Sequence, residues 1–478
     1  MREDKVLSTE VLESFREADQ EKAERDLNRE LADFGRKVVV LDDDPTGVQT
    51  VHDVSVYTDW NQEAVLEGFR EENRMFFLMT NSRGFTAART AQVHKEIAEG
   101  MVKASGETGK DFIAISRSDS TLRGHYPLEP QTLKEELERL TGKRFHGEII
   151  FPFFKEGGRY TIHDIHYVKE GGKLVPAGMT EFAKDKSFGY HSSHLGDWCE
   201  EKTGGAYSSD KMVYISLEDL RTMDYERIVQ QLRDVENFNK VIVNAIDYVD
   251  VKIFCIALIR AIREGKEFII RSAAAVTKVL GGVPDRPLLK KEELVSRDNK
   301  NGGIVIAGSH VNKTTRQLEE LKKCRYPVEM IEFNQHLIVT PKGLAPEVDR
   351  VVALVNEKIQ RGKTVAVYTR RERFDLDTDD KEKQLGISVE ISDAVTSIIA
   401  KLSVRPNFII AKGGITSSDV GTKALKVKRA VVMGQIKPGI PVWMTGAESR
   451  FPDMPYIIFP GNVGEDTTLR EAVEELMS

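Results

Sequence analysis

Cysteine is scarce in this chain, and long apolar runs are missing from it. The 478 residues include only three cysteines, Cys199, Cys255 and Cys324, which lie far apart. They lack the spacing of a metal-binding or redox pair, so neither a disulfide framework nor a zinc site is supported. No stretch approaches the roughly 18 consecutive apolar residues of a membrane span. These absences predict a protein of the reducing cytoplasm.

An excess of positive charge is also missing. The formal net charge is −7, whereas a protein that binds nucleic acid or an anionic membrane normally needs a basic face. A local basic pocket for a small anion is still compatible with this charge. We therefore expect a small molecule as the main partner, with no nucleic acid and no membrane. The length predicts two domains, and the 40% of hydrophobic residues can supply both with a core.

Short apolar runs recur along the chain, and a helical pattern follows each of them. The runs are 38–41, 75–79, 112–115, 148–151, 212–215, 241–243 and 268–270, then 304–307, 328–331, 365–368, 408–411, 430–433 and 456–459. This alternation is typical of βαβ units. We predict two α/β domains with mostly parallel sheets and an interdomain cleft. The N-terminal domain is expected at 1–280, a Gly/Pro-bearing linker at 281–303, and the C-terminal domain at 304–478.

Three consecutive aspartates end the first apolar run. Asp42, Asp43 and Asp44 follow Val38–Leu41 and precede Pro45-Thr46-Gly47. In a parallel sheet, this position is the carboxyl end of a buried strand, where open α/β sheets bind their ligands. Adjacent buried carboxylates need cations, a metal or a proton to compensate their charge. The pattern predicts a site here, and a helix-capping turn is the plainer alternative.

Polar clusters that contain arginine follow the next two predicted strands. They are Thr80–Gly84 and Ser116–His125, and similar loop-like segments lie at 157–161 and 176–185. Arginine offers a planar pair of donors to a carboxylate, and Ser, Asn and Asp can hydrogen-bond sugar hydroxyls. Each arginine taken alone would be expected in a surface ion pair. Together they favour a polar pocket that binds an anion.

Three strand-to-helix turns of the C-terminal domain combine glycine with hydroxyl residues. They lie at 308–315, 412–419 and 460–468. Glycine lets backbone amides approach an anion, and the following helix adds free N–H groups and the positive end of its dipole. Neither a Walker A motif nor GxGxxG is present. The three turns together predict phosphate binding, although each alone resembles an ordinary helix cap.

The aspartates also match a second motif. Asp42-x-Asp44-x-Thr46 has the DxDxT spacing of haloacid-dehalogenase-like phosphatases, whose first aspartate is the nucleophile. That family needs a late acidic pair at a strand end, whereas Asp379-Asp380 lies in a charged run with no strand before it. A phosphatase would also leave the three glycine turns without a role. It stays an alternative, as does a non-catalytic sensor of a sugar acid and a nucleotide.

The order of the motifs resembles that of the four-carbon acid sugar kinase family, formerly a domain of unknown function. The matching residues are Asp43-Asp44-Pro45-Thr46-Gly47, Asn81-Ser82-Arg83, Ser118–Gly124, Gly158-Arg159, Thr180-Glu181-Phe182, Gly308-Ser309, Gly413–Ser417 and Pro460–Gly464. This resemblance implies an acid-sugar domain followed by an ATP domain. It also implies an enzyme of carbohydrate catabolism that transfers a phosphoryl group from ATP to a terminal hydroxyl of a tetronate-type acid.

The resemblance implies roles for single residues. Asp43 or Asp44 is expected to accept the proton of the attacking hydroxyl, and Arg83, Arg123 or Arg159 to hold the substrate carboxylate. The expected acid-sugar residues are Thr46, Gly47, Asn81, Ser82, Arg83, Asp119, Ser120, Arg123, Arg159, Thr180 and Glu181. The expected ATP residues are Ser309, Gly413, Gly414, Ile415, Thr416, Gly461, Asn462 and Gly464. Mg²⁺ is expected with ATP, because it bridges phosphate oxygens and needs few protein ligands.

Three departures from the family pattern leave the substrate open. Pro45 replaces a usual aromatic residue, Gln49–Asp53 extends the first loop, and His191–Trp198 lengthens the middle of the N-terminal domain. The resemblance allows a linear acid such as threonate, erythronate or 3-oxo-tetronate, and also a branched acid such as 3-oxo-isoapionate. The oligomeric state is open too, with a homodimer as one option.

Overall fold

The computed structural model describes residues 4–372, 374, 381–461 and 463–478. The expected ATP-binding residue Asn462 lies outside the described residues, and so does the pair Asp379-Asp380. The strands, in chain order, are β1 (Leu7–Ser8), β2 (Lys37–Asp42), β3 (Val54–Tyr57), β4 (Met75–Met79), β5 (Phe112–Arg117), β6 (Gly147–Phe151), β7 (Arg159–Ile162), β8 (Ile165–Glu170), β9 (Lys173–Pro176), β10 (Val213–Ile215), β11 (Asn239–Val243), β12 (Phe268–Ser272), β13 (Ile304–Ala307), β14 (Val328–Phe333), β15 (Thr364–Thr369), β16 (Ile409–Lys412), β17 (Arg429–Lys437), β18 (Ile440–Thr445) and β19 (Pro455–Phe459).

Helices separate most of these strands. They are α1 (Gln20–Ala32), α2 (Gln62–Arg70), α3 (Ala87–Thr108), α4 (Leu128–Thr141), α5 (Leu195–Lys202), α6 (Leu217–Arg221), α7 (Tyr225–Arg233), α8 (Tyr248–Arg263), α9 (Ala274–Gly281), α10 (Lys291–Leu294), α11 (Asn312–Leu321), α12 (Ala345–Gln360), α13 (Lys381–Ala400), α14 (Gly414–Asp419) and α15 (Thr468–Met477). Within the described ranges, none of them is long and apolar enough to cross a membrane.

The chain divides into two compact units. Unit 1 runs to Gly47 and resumes at Asp59–Asp285, while unit 2 comprises Val48–Thr58 and Arg286–Ser478. The segment 48–58 was predicted within the N-terminal domain, but it belongs to unit 2 because β3 pairs with β17 in antiparallel register. Much of the predicted linker also belongs to unit 2. There, the backbone N–H of Leu289 donates to the carbonyl oxygen of Gln435 at 2.8 Å.

Unit 1 is built on a parallel sheet of seven strands in the order β10-β11-β6-β12-β5-β2-β4. Its central strands are buried throughout, as in Val38–Leu41 of β2. Strands that helices cover on both faces are continuously apolar, which is why the sequence signals them clearly. All seven predicted strands of this half are present. A separate antiparallel sheet, β1-β9-β8-β7, was not predicted.

In the described part of unit 2, eight strands follow one another in the order β3-β17-β18-β19-β16-β13-β15-β14. The five strands from β19 to β14 are parallel, and the other three pair in antiparallel fashion. Leu318 and Leu321 of α11 share a core with Leu469 and Val473 of α15. The protein therefore consists of two α/β units with mostly parallel sheets, as the sequence predicts. In each unit, the carboxyl ends of the parallel strands carry the polar motifs.

Candidate functional site

The carboxyl ends of β2, β4 and β5 surround the carboxylate of Asp43. Arg83, in the loop after β4, donates from Nη2 to Oδ1 at 2.6 Å and from Nε to Oδ2 at 3.1 Å. Ser118, directly after β5, donates its hydroxyl to the same Oδ2 at 2.6 Å. A charged donor that binds with both arms fixes the orientation of a carboxylate. Both oxygens of Asp43 are therefore occupied within the protein.

Arg117, the last residue of β5, interacts with two of the aspartates. Its Nη1 donates to Oδ1 of Asp42 at 3.0 Å and lies 3.6 Å from Oδ1 of Asp43. Both carboxylates are 2% exposed. Burial raises the pKa of Asp42 to about 7, although Arg117 opposes the rise. Burial also acts on Asp43, but there Arg83 and Arg117 outweigh it and hold the pKa below its ordinary value.

Asp44 is the most accessible of the three carboxylates. Its side chain is 15% exposed, and its Oδ2 lies 3.5 Å from Nη1 of Arg83. Its Oδ1 accepts the backbone N–H of Thr46 at 2.8 Å, which closes a tight turn. A Cβ at Gly47 would lie only 1.9 Å from Oδ2 of Asp42. Thr46 and Gly47 therefore shape the loop that holds the aspartates in place.

Asn81 and Ser82 shape the loop that carries Arg83. Asn81 has a φ of 57°, in the left-handed region that asparagine tolerates better than most residues. Ser82 is fully buried and donates its hydroxyl to Oε1 of Glu129 at 2.5 Å. Glu129 lies in α4 and is itself buried. These two predicted residues lie beside the site, where their contacts position Arg83.

The loop after β5 holds a second ion pair. Arg123 donates from Nε to Oδ2 of Asp119 at 2.6 Å, and the hydroxyl of Thr121 donates to the same oxygen. Burial raises the pKa of Asp119, but Arg123 and Arg83 outweigh burial and bring it far below the ordinary value. His166 fixes the loop, because its Nε2 lies 2.8 Å from the carbonyl oxygen of Ser120. Burial lowers the pKa of His166 to about 4, so the ring is neutral and donates this bond.

Arg159 differs from Arg123 in its hydrogen bonding. Arg123 and Arg159 both lie over the ring of Phe182, with distances of 5.0 and 5.8 Å to its centroid. Arg123 also lies 3.7 Å from a carboxylate oxygen of Asp185. In contrast, Nε of Arg159 is buried and has no hydrogen-bond partner among the described residues. Burial lowers the pKa of Arg159, although Asp119 opposes this effect.

Thr180 and Glu181 lie in the segment that approaches the arginines, but their own contacts differ from those of their neighbours. The hydroxyl of Thr180 donates to the carbonyl oxygen of Ala177 at 2.7 Å, and Glu181 is exposed. Their neighbours Phe182 and Asp185 make the contacts with the arginines instead. The segment that contains Thr180 and Glu181 therefore reaches the arginines through Phe182 and Asp185.

In unit 2, the turns after β13 and β16 approach each other. A Cβ on Gly308 would lie 2.9 Å from Oγ1 of Thr416, and one on Gly413 would lie 3.6 Å from Cβ of Ser309. Gly413 has a φ of +113°, which favours glycine. Three predicted ATP residues, Ser309, Gly413 and Thr416, therefore lie together. Gly414 and Ile415 begin α14, and Ile415 exposes 74% of its side chain.

Lys412 connects this turn to the loop after β19. It is fully buried at the end of β16, and its Nζ donates to the carbonyl oxygens of Pro460 and Gly461 at 2.9 and 3.1 Å. Burial and the nearby charge of Lys313 lower the pKa of Lys412 to about 7. Gly464 has a φ of +80°, and a Cβ there would crowd Thr468 at the start of α15.

Some residues take part in these arrangements although they were not among the expected site residues, for example Arg117, Ser118, Glu129, Phe182, Asp185 and Lys412. Arg117 and Ser118 lie within the predicted polar cluster Ser116–His125, and Ser118 begins the matching motif Ser118–Gly124, so the sequence carried a signal for both. Lys412 begins the predicted turn at 412–419, whereas Glu129 carries no such signal, because only burial distinguishes it from a surface charge. Within the described ranges, no group of three or more His, Cys, Asp or Glu side chains is arranged to hold a metal ion.

Comparisons with known proteins define the class of this protein. Residues 38–280 match a family model described as a sugar-binding N-terminal domain, and residues 304–469 match one described as a nucleotide-binding C-terminal domain. The chain is thus a sugar-binding and nucleotide-binding protein of two domains. It belongs to the four-carbon acid sugar kinase family. Among curated proteins, none matches the chain significantly.

Two solved structures share the fold. A protein of Salmonella typhimurium LT2, provisionally described as a tRNA synthase, has a TM-score of 0.63 at 15% identity, over 91% of this chain and 98% of that chain. A Haemophilus influenzae protein from a family of domains of unknown function has a TM-score of 0.58 at 14% identity, over 92% of this chain and 100% of that chain. At such identities, the likeness shows the fold alone.

Proposed function

We propose that the protein is an ATP-dependent kinase that phosphorylates a terminal hydroxyl of a four-carbon or branched sugar acid. The observation that carries this proposal is the group of carboxylates and arginines at one sheet edge of unit 1. A kinase acceptor site needs a group that takes a proton and a cation that binds the acid. Asp44 and Arg159 offer these two groups. The nucleotide-binding family of unit 2 supports ATP as the phosphoryl donor.

Asp44 is the proposed base. Asp43 accepts hydrogen bonds from Arg83 and Ser118, and its lowered pKa makes it a weak proton acceptor. Asp44 is more exposed and lies at 3.5 Å from Arg83. A general base must come within hydrogen-bond reach of the hydroxyl proton that it removes. Asp43 then acts by holding Arg83, which in turn positions Asp44.

Arg159 is the proposed anchor of the substrate carboxylate. Asp43 engages Arg83, and Asp119 engages Arg123, each through hydrogen bonds of 2.6 Å. Arg159 has a buried Nε with no hydrogen-bond partner among the described residues. Leaving a buried charged donor unsatisfied is costly, and a carboxylate supplies both the acceptor and the counter-charge.

The turns of unit 2 are proposed to bind the phosphates of ATP. Lys412 and Lys313 place positive charge beside the Gly413 turn. Gly461 leaves open space, because a Cβ there would meet no atom within 4 Å. Polyphosphate oxygens fit this set of amines, hydroxyls and backbone N–H groups. Mg²⁺ bound to those oxygens would neutralise charge that develops during transfer. The nucleotide would carry the ion, and the hydroxyl groups of Ser309 and Thr416 in the neighbouring turns could contribute to holding it.

A coupled assay for ADP tests the proposal. Purified protein with ATP and Mg²⁺ is given threonate, erythronate, 3-oxo-tetronates and branched acids one at a time. The proposal requires ADP release that depends on one of these acids. Binding of both ligands without ADP release would instead indicate a sensor. Release of inorganic phosphate from sugar phosphates without ATP would indicate the phosphatase, although Asp42, its nucleophile, is buried and bonded to Arg117.

A further inference from the structure

Two residues outside every predicted motif lie beside the acidic cluster. Arg271 and Ser272 end β12, which pairs with β5 on one side and β6 on the other. The backbone N–H of Ser118 donates to the carbonyl oxygen of Ser272 at 2.9 Å. A Cβ on Gly124 would lie 3.1 Å from Oδ2 of Asp43 and 3.6 Å from Nη2 of Arg271. Arg271 thus belongs to the same sheet edge as Asp43.

A small cavity lies at this position, and we call it the β12 pocket. Its walls include Asp119, Leu122, Trp198, Arg271 and Ser272. Nη1 of Arg271, Oγ of Ser272 and Nε1 of Trp198 are all buried, and none has a hydrogen-bond partner among the described residues. Native interiors satisfy the large majority of buried polar groups. Three unsatisfied groups on residues that line one cavity therefore call for an acceptor oxygen there, which a ligand or a water molecule can supply.

The guanidinium of Arg271 is held in place before any ligand binds. It lies over the rings of Tyr126 and Trp198, at 5.1 and 5.7 Å from their centroids. Oε2 of Glu129 is 3.8 Å from its Nη1, which is an ion-pair distance but too long for a hydrogen bond. Arg271 is only 5% exposed. Because its side chain is already ordered, binding an acceptor costs little conformational entropy.

We infer that the β12 pocket is a second anchor of the sugar-acid site and binds an oxygen atom of the substrate through Arg271, Ser272 and Trp198. Guanidinium and indole N–H groups can only donate, so they match an oxygen that accepts. This inference rests on the proposed function, because it places a sugar acid next to Asp43 and Asp44. It makes the pocket a determinant of which acid is accepted, in addition to the carboxylate anchor Arg159.

Calorimetric titration of threonate and erythronate, without nucleotide, tests the pocket. The variants are Ser272→Ala and Trp198→Phe, with Trp443→Phe as the matched control. Trp443 lies in unit 2 and is also a buried tryptophan whose Nε1 has no hydrogen-bond partner among the described residues. Ser272→Ala and Trp198→Phe should each weaken binding about tenfold, whereas Trp443→Phe should leave affinity unchanged. Ser272→Ala should keep or raise the ligand-free melting temperature, because it removes an unsatisfied hydroxyl.

The outcomes separate this inference from the proposed function. If wild type binds the acid and releases ADP but Ser272→Ala and Trp198→Phe both keep its affinity, the inference about the β12 pocket alone would be overturned. If the two variants weaken binding of the acid but wild type releases no ADP, the kinase proposal alone would be overturned. No binding of any acid in the assay panel to wild type would contradict both.

Discussion

Arg83 and Asp43 form an ion pair with two hydrogen bonds, of 2.6 and 3.1 Å, and Asp43 is almost fully buried. This pair joins the loop after β4 to the end of β2. It also fixes the ionisation of Asp43, because the guanidinium lowers the carboxyl pKa despite burial. In the proposed mechanism, Asp43 is therefore a positioning residue, and its neighbour Asp44 is the base.

Asp44→Asn should abolish most turnover while nucleotide binding stays intact. The amide keeps the size of the side chain but cannot accept the hydroxyl proton as a carboxylate does. We expect kcat to fall more than tenfold, which corresponds to about 1.4 kcal/mol or more of barrier. The coupled ADP assay and an ATP titration measure the two effects. Asp210→Asn, at an exposed aspartate of unit 1, is the control, and a variant Asp44→Asn that keeps over a tenth of kcat would refute the assignment.

Arg159→Met should weaken binding of the sugar acid and leave binding of ATP unchanged. Methionine fills similar space but removes the charge and the donors that a carboxylate needs. The KM for the acid should rise at least tenfold, or about 1.4 kcal/mol, with little change in the KM for ATP. Arg144→Met, at an exposed arginine, should behave as wild type. Equal KM values for the acid in Arg159→Met and Arg144→Met would exclude Arg159 as the anchor.

Gly47→Ala should destabilise the protein although it adds one methyl group. The new Cβ would overlap the carboxylate of Asp42, at 1.9 Å from Oδ2, so the loop or the side chain must move. We expect a loss of roughly 1–3 kcal/mol in the free energy of unfolding, measured by urea denaturation. Gly106→Ala in α3 is the matched control, since its Cβ would meet no atom within 4 Å. That change should stabilise by roughly 0.5–1 kcal/mol, and equal effects of the two variants would contradict the geometry.

Binding of ATP should take up a proton at Lys412. With a pKa of about 7, this amine is mostly neutral at pH 8 in the free protein. Phosphate charge nearby favours the protonated form and raises the pKa, so protonation accompanies binding. Titration calorimetry at pH 8 in buffers of different ionisation enthalpy measures the uptake. Lys412→Met should bind ATP with less uptake than wild type, and the same uptake in both proteins would remove Lys412 from the phosphate site.

Lys412 should also make stability depend on pH. Its pKa of about 7 in the folded protein lies below the ordinary value of 10.5, so the unfolded chain binds the proton more tightly. The neutral amine contributes stability that is fully present above about pH 10.5 and is lost as the pH falls towards 7. The free energy of unfolding of wild type, relative to Lys412→Met, should therefore decrease from pH 10 to pH 7. A difference that stays constant over this range would contradict the lowered pKa.

Much of the fold was predictable, because β2 and the other central strands are apolar runs bounded by turn residues, and such runs carry their own signal. Besides the small sheet β1-β9-β8-β7, the strands β3 and β18 were missed. β3 pairs with β17, which follows far later in the chain, and a pairing of that kind leaves no local pattern. The same pairing places residues 48–58 in unit 2, which neither charge nor composition indicates.

The sequence by itself indicated that Asp43, Arg83 and Asp119 meet at one sheet edge of unit 1. Asp43, Arg83 and Asp119 each follow a strand, and parallel strands end at a common edge. Only the tertiary structure decided their partners: Arg83 binds Asp43, Arg123 binds Asp119, and Nε of Arg159 has no hydrogen-bond partner among the described residues. Which partner each arginine binds depends on differences of a few tenths of an ångström between atoms. Burial in turn sets charge states such as that of Lys412. Neither these interatomic distances nor the burial of a side chain can be read from the order of neighbouring residues.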